Sequence, residues 1–401
     1  MRIDMKKYIF IIGLVFFCAI FSSCLKNEFG IVDLTMDDEE EVDVNYIPSL
    51  VHPGILHTMS DIERMREIVA NQEEPGFSGY KKLESDPLSS YDYSIQGPFE
   101  ELYRGNIGGV SIQGKYESDF NAAYQNAVMY AVTQDERYAK KSTEILIKYG
   151  ETVKTILGDD TTLLPSIMGV KFIYAVELMR YLYPQGMTDE SFNIVCNMLK
   201  TVFIPVLETF MSTPAYSNGN WGASVGMTYI AASVLFNDKE MYKKALEFYL
   251  NADDNGTIRN YIDGETGQCQ ESGRDQAHTQ LGLACLSVTC EIAYKQGTDL
   301  YSVLDNRLMK GFEYTAKYNL GYDDVPYSVF QDVTGKYSNW DKISAQDRGE
   351  FRPIYEMVYN HYVNRKGLDM PYTQKVVEKN RPEGFYYEHF GFGTFLFNDK
   401  K

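Results

Sequence analysis

Two short stretches carry most of the polar chemistry of this chain. One is Ser217-Asn218-Gly219-Asn220-Trp221-Gly222; the other is Gln268-Cys269-Gln270-Glu271-Ser272-Gly273-Arg274-Asp275-Gln276-Ala277-His278. Each stands directly before a run of small residues with helical spacing. In the second, Glu271, Arg274 and His278 fall at i, i+3 and i+7, which gathers them on one face of a helix or its entry. Ser272 reads as the N-cap and Asp275 as the third helical position, an acidic variant of the capping box. Arg274 would then sit in a first turn whose dipole disfavours a cation, and a broken local rule of this kind is common at functional sites. Arg, Asn and first-turn amides are the groups that hold a carboxylate. If that carboxylate belongs to a uronic acid, they also stabilise the enolate formed as the C5 proton leaves. His278 or a nearby tyrosine would take the proton and a tyrosine would return one to the O4 leaving group.

Other chemistries fit the same residues. Glu271 and Asp275 could serve as the paired acids of a glycoside hydrolase, or the chain could be a helical-repeat protein that only captures glycans. Glu271 and Arg274 could also simply pair, with His278 a satisfied core histidine. Of the five histidines, His52, His57, His278, His361 and His389, only His278 lies in a dense polar motif. Among 32 tyrosines the choice for a proton carrier falls on Tyr124, on the face of an earlier helix. Trp221, Glu271 and Gln276 are candidates for substrate contact. Counting one repeat back from the two motifs adds Lys115 and Lys171, near the starts of other helices.

The elements that must position these residues are helices. Phe120, Ala123, Tyr124, Ala127, Val128 and Ala131 share a helical face, as do Tyr242, Ala245, Leu246 and Tyr249, and Leu281, Ala284, Cys285, Val288 and Ile292. Ser60 and Glu63 read as a capping box opening a helix over Ile62, Met65, Ile68 and Val69. A phrase recurs in which a helix rich in small residues ends in a polar turn and an aromatic opens a second, amphipathic helix. It places Tyr138, Phe192, Tyr242 and Tyr301 at intervals of 54, 50 and 59 residues. Such a period predicts repeated helix pairs that bury a common core with their neighbours. The fold expected is all-α, an (α/α) toroid, complete or incomplete, with an open solenoid of helical hairpins as the alternative. Asn220 and Arg274 are 54 residues apart, one repeat, so they should be neighbours on one rim. The last 80 residues are richer in Gly and aromatics, and only 350–364 shows clear helical spacing.

The N-terminus reads as an export signal over residues 1–23: Lys6 and Lys7, an apolar run from Tyr8 to Phe21, then Ser22 and Ser23 before Cys24. The run is too short to span a bilayer, which takes about 20 residues. A cysteine directly after the cleavage site resembles a bacterial lipobox, so Cys24 is the expected lipid attachment point and the only membrane contact. The expected location is the periplasm or cell surface. Residues 24–47, with Asp37-Asp38-Glu39-Glu40-Glu41, read as an acidic tether, and 48–401 as the folded domain. Net charge is −18, which excludes nucleic acid as a partner, since phosphate binding needs a basic footprint. An anionic substrate must therefore meet a local cation. Cys196, Cys269, Cys285 and Cys290 match no zinc or redox spacing and read as buried free thiols. No metal or nucleotide motif is present, so no cofactor is expected.

The strings NGNWGASVGMTYIAASVLFND (218–238) and GQCQESGRDQAHTQLGLACLSVTCEIAYKQGTDLY (267–301), with FRPIYEMVYNHY (351–362), resemble the alginate-lyase-like polysaccharide lyases of Bacteroidetes. The resemblance spans about residues 50–395. It implies a toroid, cleavage of a uronate polysaccharide such as alginate or glucuronan by β-elimination, and Asn220, Arg274 and His278 as site residues. Better-studied relatives carry a histidine in the stretch where Asn220 and Trp221 stand here, so the assignment of base and acid stays open.

Overall fold

The structure, a computed structural model, describes residues 42–44, 47 and 49–399. The signal segment 1–23, Cys24 and most of the 24–47 tether lie outside the described residues. The chain enters the domain through α1 (Met59–Asn71) and α2 (Gly76–Ser85). The cap of α1 lies two residues earlier than the expected Ser60 and Glu63. Thr58 accepts from the Asp61 amide at 3.2 Å and Asp61 accepts from the Thr58 amide at 2.8 Å. Either pair satisfies the pattern; Asp61 is favoured because it also meets Lys295 at 2.8 Å.

Four helices line the centre: α3 (Gln113–Thr133), α5 (Gly169–Leu182, preceded by a π-helical turn at Leu164–Met168), α8 (Gly219–Leu235) and α11 (Gln276–Lys295). They pack in sequence, α3 on α5, α5 on α8 and α8 on α11. Each is buried around nearly its whole circumference; in α8 only Trp221 is not. The expected single apolar face is therefore too narrow for these inner helices, because they are covered on both sides. Small residues permit that packing. A Cβ at Gly282 of α11 would collide with the Tyr261 hydroxyl.

The outer layer consists of α4 (Glu136–Thr152), α6 (Asp189–Met198) running through a π-helical turn at Leu199–Phe203 into α7 (Ile204–Ser212), α9 (Lys239–Asn251) and α12 (Val303–Asn319). These helices bury one face. Tyr138, Phe192 and Tyr242 lie in the first turns of α4, α6 and α9, and Tyr301 just precedes α12, as the repeat predicts. The polar turns before them are N-caps: Asp135, Thr188 and Asp238 accept from Arg137, Ser191 and Met241 amides. Each such cap stabilises its helix by about 1 kcal/mol. A short α10 (Ile258–Tyr261) and a two-stranded parallel pair, β1 (Glu101–Tyr103) with β2 (Thr155–Leu157), complete the middle.

The ring closes through the C-terminal segment. There α13 (Tyr355–Tyr359, continued by a π-helical turn at Asn360–Arg365) touches α11, α14 (Pro371–Asn380) and α15 (Gly393–Leu396), while α15 packs on α1 and α2. A buried ionic network secures this seam. Arg365 reaches both Glu291 oxygens at 3.0 and 3.1 Å and Asp399 at 2.7 Å, and Lys295 bridges Glu291 and Asp61. Cys196, Cys269, Cys285 and Cys290 are buried free thiols, as expected.

Candidate active site

The N-termini of α8 and α11 lie side by side on one rim. There the two polar segments meet, as their one-repeat separation predicts. Asn220 donates to Glu271 twice, from its backbone amide at 3.0 Å and from Nδ2 at 2.9 Å. Gly219 donates to Gln270 Oε1 at 3.0 Å, which locks the entry of α8 to the segment before α11. Glu271 is fully buried and also accepts from the Tyr261 hydroxyl at 3.3 Å. Burial pushes its carboxyl above the ordinary range, with the adjoining Arg274 charge opposing that rise.

Arg274 lies across the top of this base. Its Nη1 donates to Glu271 Oε1 at 2.7 Å and its Nη2 lies 3.0 Å from His278 Nε2. A guanidinium only donates, so Nε2 accepts and carries the lone pair. The ring proton is therefore on Nδ1, which donates to Asp275 Oδ2 at 2.7 Å. The ring is thus held between a guanidinium at Nε2 and a carboxylate at Nδ1. Both groups reach solvent: side-chain exposure is 29% for Arg274 and 39% for His278, against 0% for Glu271.

The helix start differs from the expected one. Asp275, not Ser272, is the N-cap of α11, accepting from the His278 amide at 2.7 Å. Ser272 instead accepts from the Cys269 amide at 3.0 Å. Arg274 consequently precedes the helix and opposes no first-turn dipole. Its position is set by Glu271, and by Asp275 at 3.6 Å. Burial pushes the Asp275 carboxyl up, but hydrogen bonds from the His278 ring and amide outweigh it and hold it below its ordinary value. Asp275 thus stays ionised through the neutral range. Neither Glu271 nor Asp275 is left free to act as one of a hydrolase's paired acids: the first is engaged by Asn220 and Arg274, the second by His278.

The remaining candidates lie elsewhere. Trp221 is half-buried beside Asn220, edge-on to Tyr216 at 6.2 Å. Gln276 is buried; its amide spans Ser272 and Ser344 carbonyls and its Oε1 accepts from Asn319 at 2.9 Å, so it ties the 321–350 loop to the rim and offers nothing to a ligand. Tyr124 is buried away from this cluster, paired with His57 Nε2 at 2.8 Å, and burial pushes its phenol far above the usual value. Lys171 is also buried; it donates to Asn121 Oδ1 at 2.7 Å and to the Tyr387 carbonyl, and burial pulls its amine down to about 7. It lines a small pocket with Tyr174, Cys285 and His389. Lys115 is exposed in the first turn of α3.

Residues that sequence reasoning passed over complete the rim. Tyr261 supports Glu271 from below. Tyr337, from the 321–350 loop, lies close enough to Arg274 and Glu271 for both charges to act on its phenol, which burial raises. The only advance signal for Tyr337 was the Gly- and aromatic-rich composition of the last 80 residues.

A family model described as alginate lyase matches residues 112–324, more than half of the chain and inclusive of both polar segments. Comparison with curated proteins yields no match. Among solved structures, the chain is similar to alginate lyase A1-III from Sphingomonas species A1, with a TM-score of 0.62 at 14% identity over 89% of this chain and 99% of that one. A variant of A1-III complexed with a tetrasaccharide gives 0.61 at 14% identity, over 87% and 99%. An alginate lyase from Bacteroides ovatus gives 0.54 at 13%, over 86% and 99%. These likenesses identify the fold as the α/α toroid. The family match goes further: the chain belongs to the alginate lyase family and is a polysaccharide lyase.

Proposed function

We propose that the chain cleaves a uronate polysaccharide, alginate, glucuronan or a related polymer, by β-elimination at the Arg274–His278 rim. The observation that carries this reading is the setting of His278: Nε2 3.0 Å from the Arg274 guanidinium and Nδ1 2.7 Å from the Asp275 carboxylate, which together place the lone pair on Nε2. Arg274 bonds to a substrate carboxylate in place of His278, so binding itself uncovers the base. With its charge partly neutralised the carboxylate can accept electron density, and the C5–H bond becomes acidic. Nε2 takes that proton; the electron pair forms the C4–C5 double bond as the C4–O4 bond breaks. Asp275 stabilises the imidazolium, and the departing O4 takes a proton from the imidazolium or from the Tyr337 hydroxyl, which must then turn from the Tyr216 carbonyl it donates to. Asn220 retains one amide hydrogen beyond the one given to Glu271, available to the same carboxylate. In a chain of net charge −18, such a local cation is what an anionic polymer requires. Mixing the purified domain with a panel of polyuronates tests the reading, because elimination creates an unsaturated product that absorbs in the ultraviolet. Absence of that absorbance with every uronate would sink it.

The export signal and Cys24 support a lipid-anchored location in the periplasm or on the cell surface, where a polymer too large for import would be met. The acidic 24–47 segment would supply reach from the membrane. Labelling with a radioactive fatty acid, lost in Cys24→Ala, tests this.

A further inference from the structure

Both tryptophans of the chain stand beside the Arg274 cluster, and only one of them follows from the family motif. Trp221 is next to Asn220. Trp340 packs against Gly273, where a Cβ would collide with Trp340 and the Tyr327 hydroxyl. The indole of Trp340 lies nearly parallel to the ring of Tyr337, 22° between planes and 6.0 Å between centroids. Tyr337 donates to the Tyr216 carbonyl at 3.2 Å, and Tyr216 is edge-on to Trp221. Four aromatics thus form one continuous wall along the rim. All four keep part of their surface in solvent.

The wall is built, not incidental. Asp332 gathers the turn that carries Tyr337 and Trp340, accepting from the amides of Thr334 and Tyr337 at 2.9 Å and from the Ser338 hydroxyl at 2.7 Å. Asn255 joins this knot to the rim: it accepts from the Val333 amide at 2.8 Å and donates to the Ser217 carbonyl at 2.9 Å. Tyr327 holds the Trp340 carbonyl at 2.8 Å. A platform fixed in this way has little freedom to lose when a ring stacks on it. The knot lies beyond residue 324, where the family match ends, so the family match does not account for it.

We propose that Trp340, braced by Tyr337, is a sugar-stacking subsite. It takes the apolar face of the pyranose ring adjacent to the one whose carboxylate Arg274 binds, and so sets the oligosaccharide length the enzyme prefers. The proposal rests on the uronate reading for the identity of the neighbouring sugar, but not for the stacking itself. The test has two parts. Trp340→Ala should raise KM about three- to tenfold for oligouronates long enough to reach the platform and leave KM for the shortest cleaved oligomer unchanged; Trp340→Phe should restore most of the loss. KM unaffected at every length would overturn the proposal. In a Trp221→Phe background, where Trp340 is the sole indole, titration with acidic and neutral oligosaccharides should change its fluorescence. If no uronate is turned over but this signal saturates, the substrate reading has failed and the platform stands. If uronates are turned over and the signal stays flat, the platform is wrong and the lyase reading stands.

Discussion

Replacing Asp275 with asparagine separates the orientation of His278 from the folding of α11. Asn and Asp cap helices about equally well. In Asp275→Asn the amide oxygen can keep the bond from the His278 backbone amide, 2.7 Å long with the native carboxylate, and the melting temperature should move by less than about 3 °C. The other side-chain atom then becomes an NH2 donor facing Nδ1, where Asp275 Oδ2 accepts at 2.7 Å. Nδ1 must accept and the proton moves to Nε2, 3.0 Å from Arg274 Nη2. The ring now presents a donor to a donor, and its lone pair faces away from the cleft. A misplaced general base forfeits about 10²- to 10⁴-fold in rate, which corresponds to roughly 3–5 kcal/mol in the barrier. Initial rates of ultraviolet absorbance on the preferred polyuronate, at saturating substrate, measure kcat directly. KM should change far less than kcat, because Arg274 loses only its longer contact with Asp275, at 3.6 Å, and keeps Glu271 at 2.7 Å; the bound on kcat loss is the same tautomer argument. A folded Asp275→Asn enzyme retaining more than about a third of wild-type kcat would refute the assignment of His278 as the base.

Further outcomes follow from the same geometry. Arg274→Ala should lower kcat by about 10²- to 10³-fold and, by leaving the buried Glu271 carboxylate unpaired, cost about 3 kcal/mol of stability; adding Glu271→Gln should recover the stability in urea denaturation without the activity. Tyr337→Phe distinguishes the two proton sources for O4: a drop in kcat of at least about tenfold assigns the acid to Tyr337, and an unchanged kcat assigns it to His278. Burial lowers the His57 pKa from 6.5 to about 4. The unfolded chain therefore binds this proton first, so stability is full above about pH 6.5 and falls as pH drops towards 4, by up to about 3 kcal/mol. His57→Gln, which can still bond to Tyr124, should reduce the slope of that part of the stability curve, the rest coming from His361 and His389, whose pKa values burial also lowers. Glu291→Ala, which removes the carboxylate shared by Arg365 and Lys295 in the seam between α11 and the C-terminal segment and leaves them only Asp399 and Asp61, should cost about 3 kcal/mol and show in calorimetry as a lower melting temperature with kcat on the residual folded enzyme unchanged.

How much of this was legible in the sequence depended on the range over which each feature is decided. The helix pairs were legible because small-residue runs, polar turns and the aromatics Tyr138, Phe192, Tyr242 and Tyr301 recur at one period. That period alone brought Asn220 to the segment of Arg274, where the structure places its two bonds to Glu271. Caps were less certain. Ser60 or Thr58, and Ser272 or Asp275, satisfy the same local pattern, and tertiary partners decide between them: Lys295 for Asp61, and the His278 ring for Asp275. The difference matters chemically, since a carboxylate read at the third helical position, or as one of a hydrolase's acids, is the N-cap and also the partner of Nδ1 of the proposed base.

The residues that sequence could not rank were those whose role depends on depth within the ring. Tyr124 and Lys171 have the right types and sit on inner helices, but both side chains are buried among neighbouring elements. There each finds an internal partner, His57 for Tyr124, and Asn121 with the Tyr387 carbonyl for Lys171. Chemistry requires a group that is fixed but not sealed. In this toroid that condition is met at the helix N-termini, where one side of Arg274 and His278 is held by buried carboxylates and the other meets solvent. Tyr337 and Trp340 meet it from a loop with no periodicity, positioned through Asn255 and Asp332. Their contribution to the rim therefore arises from contacts 77 and 78 residues apart in the chain, a separation that no local pattern encodes.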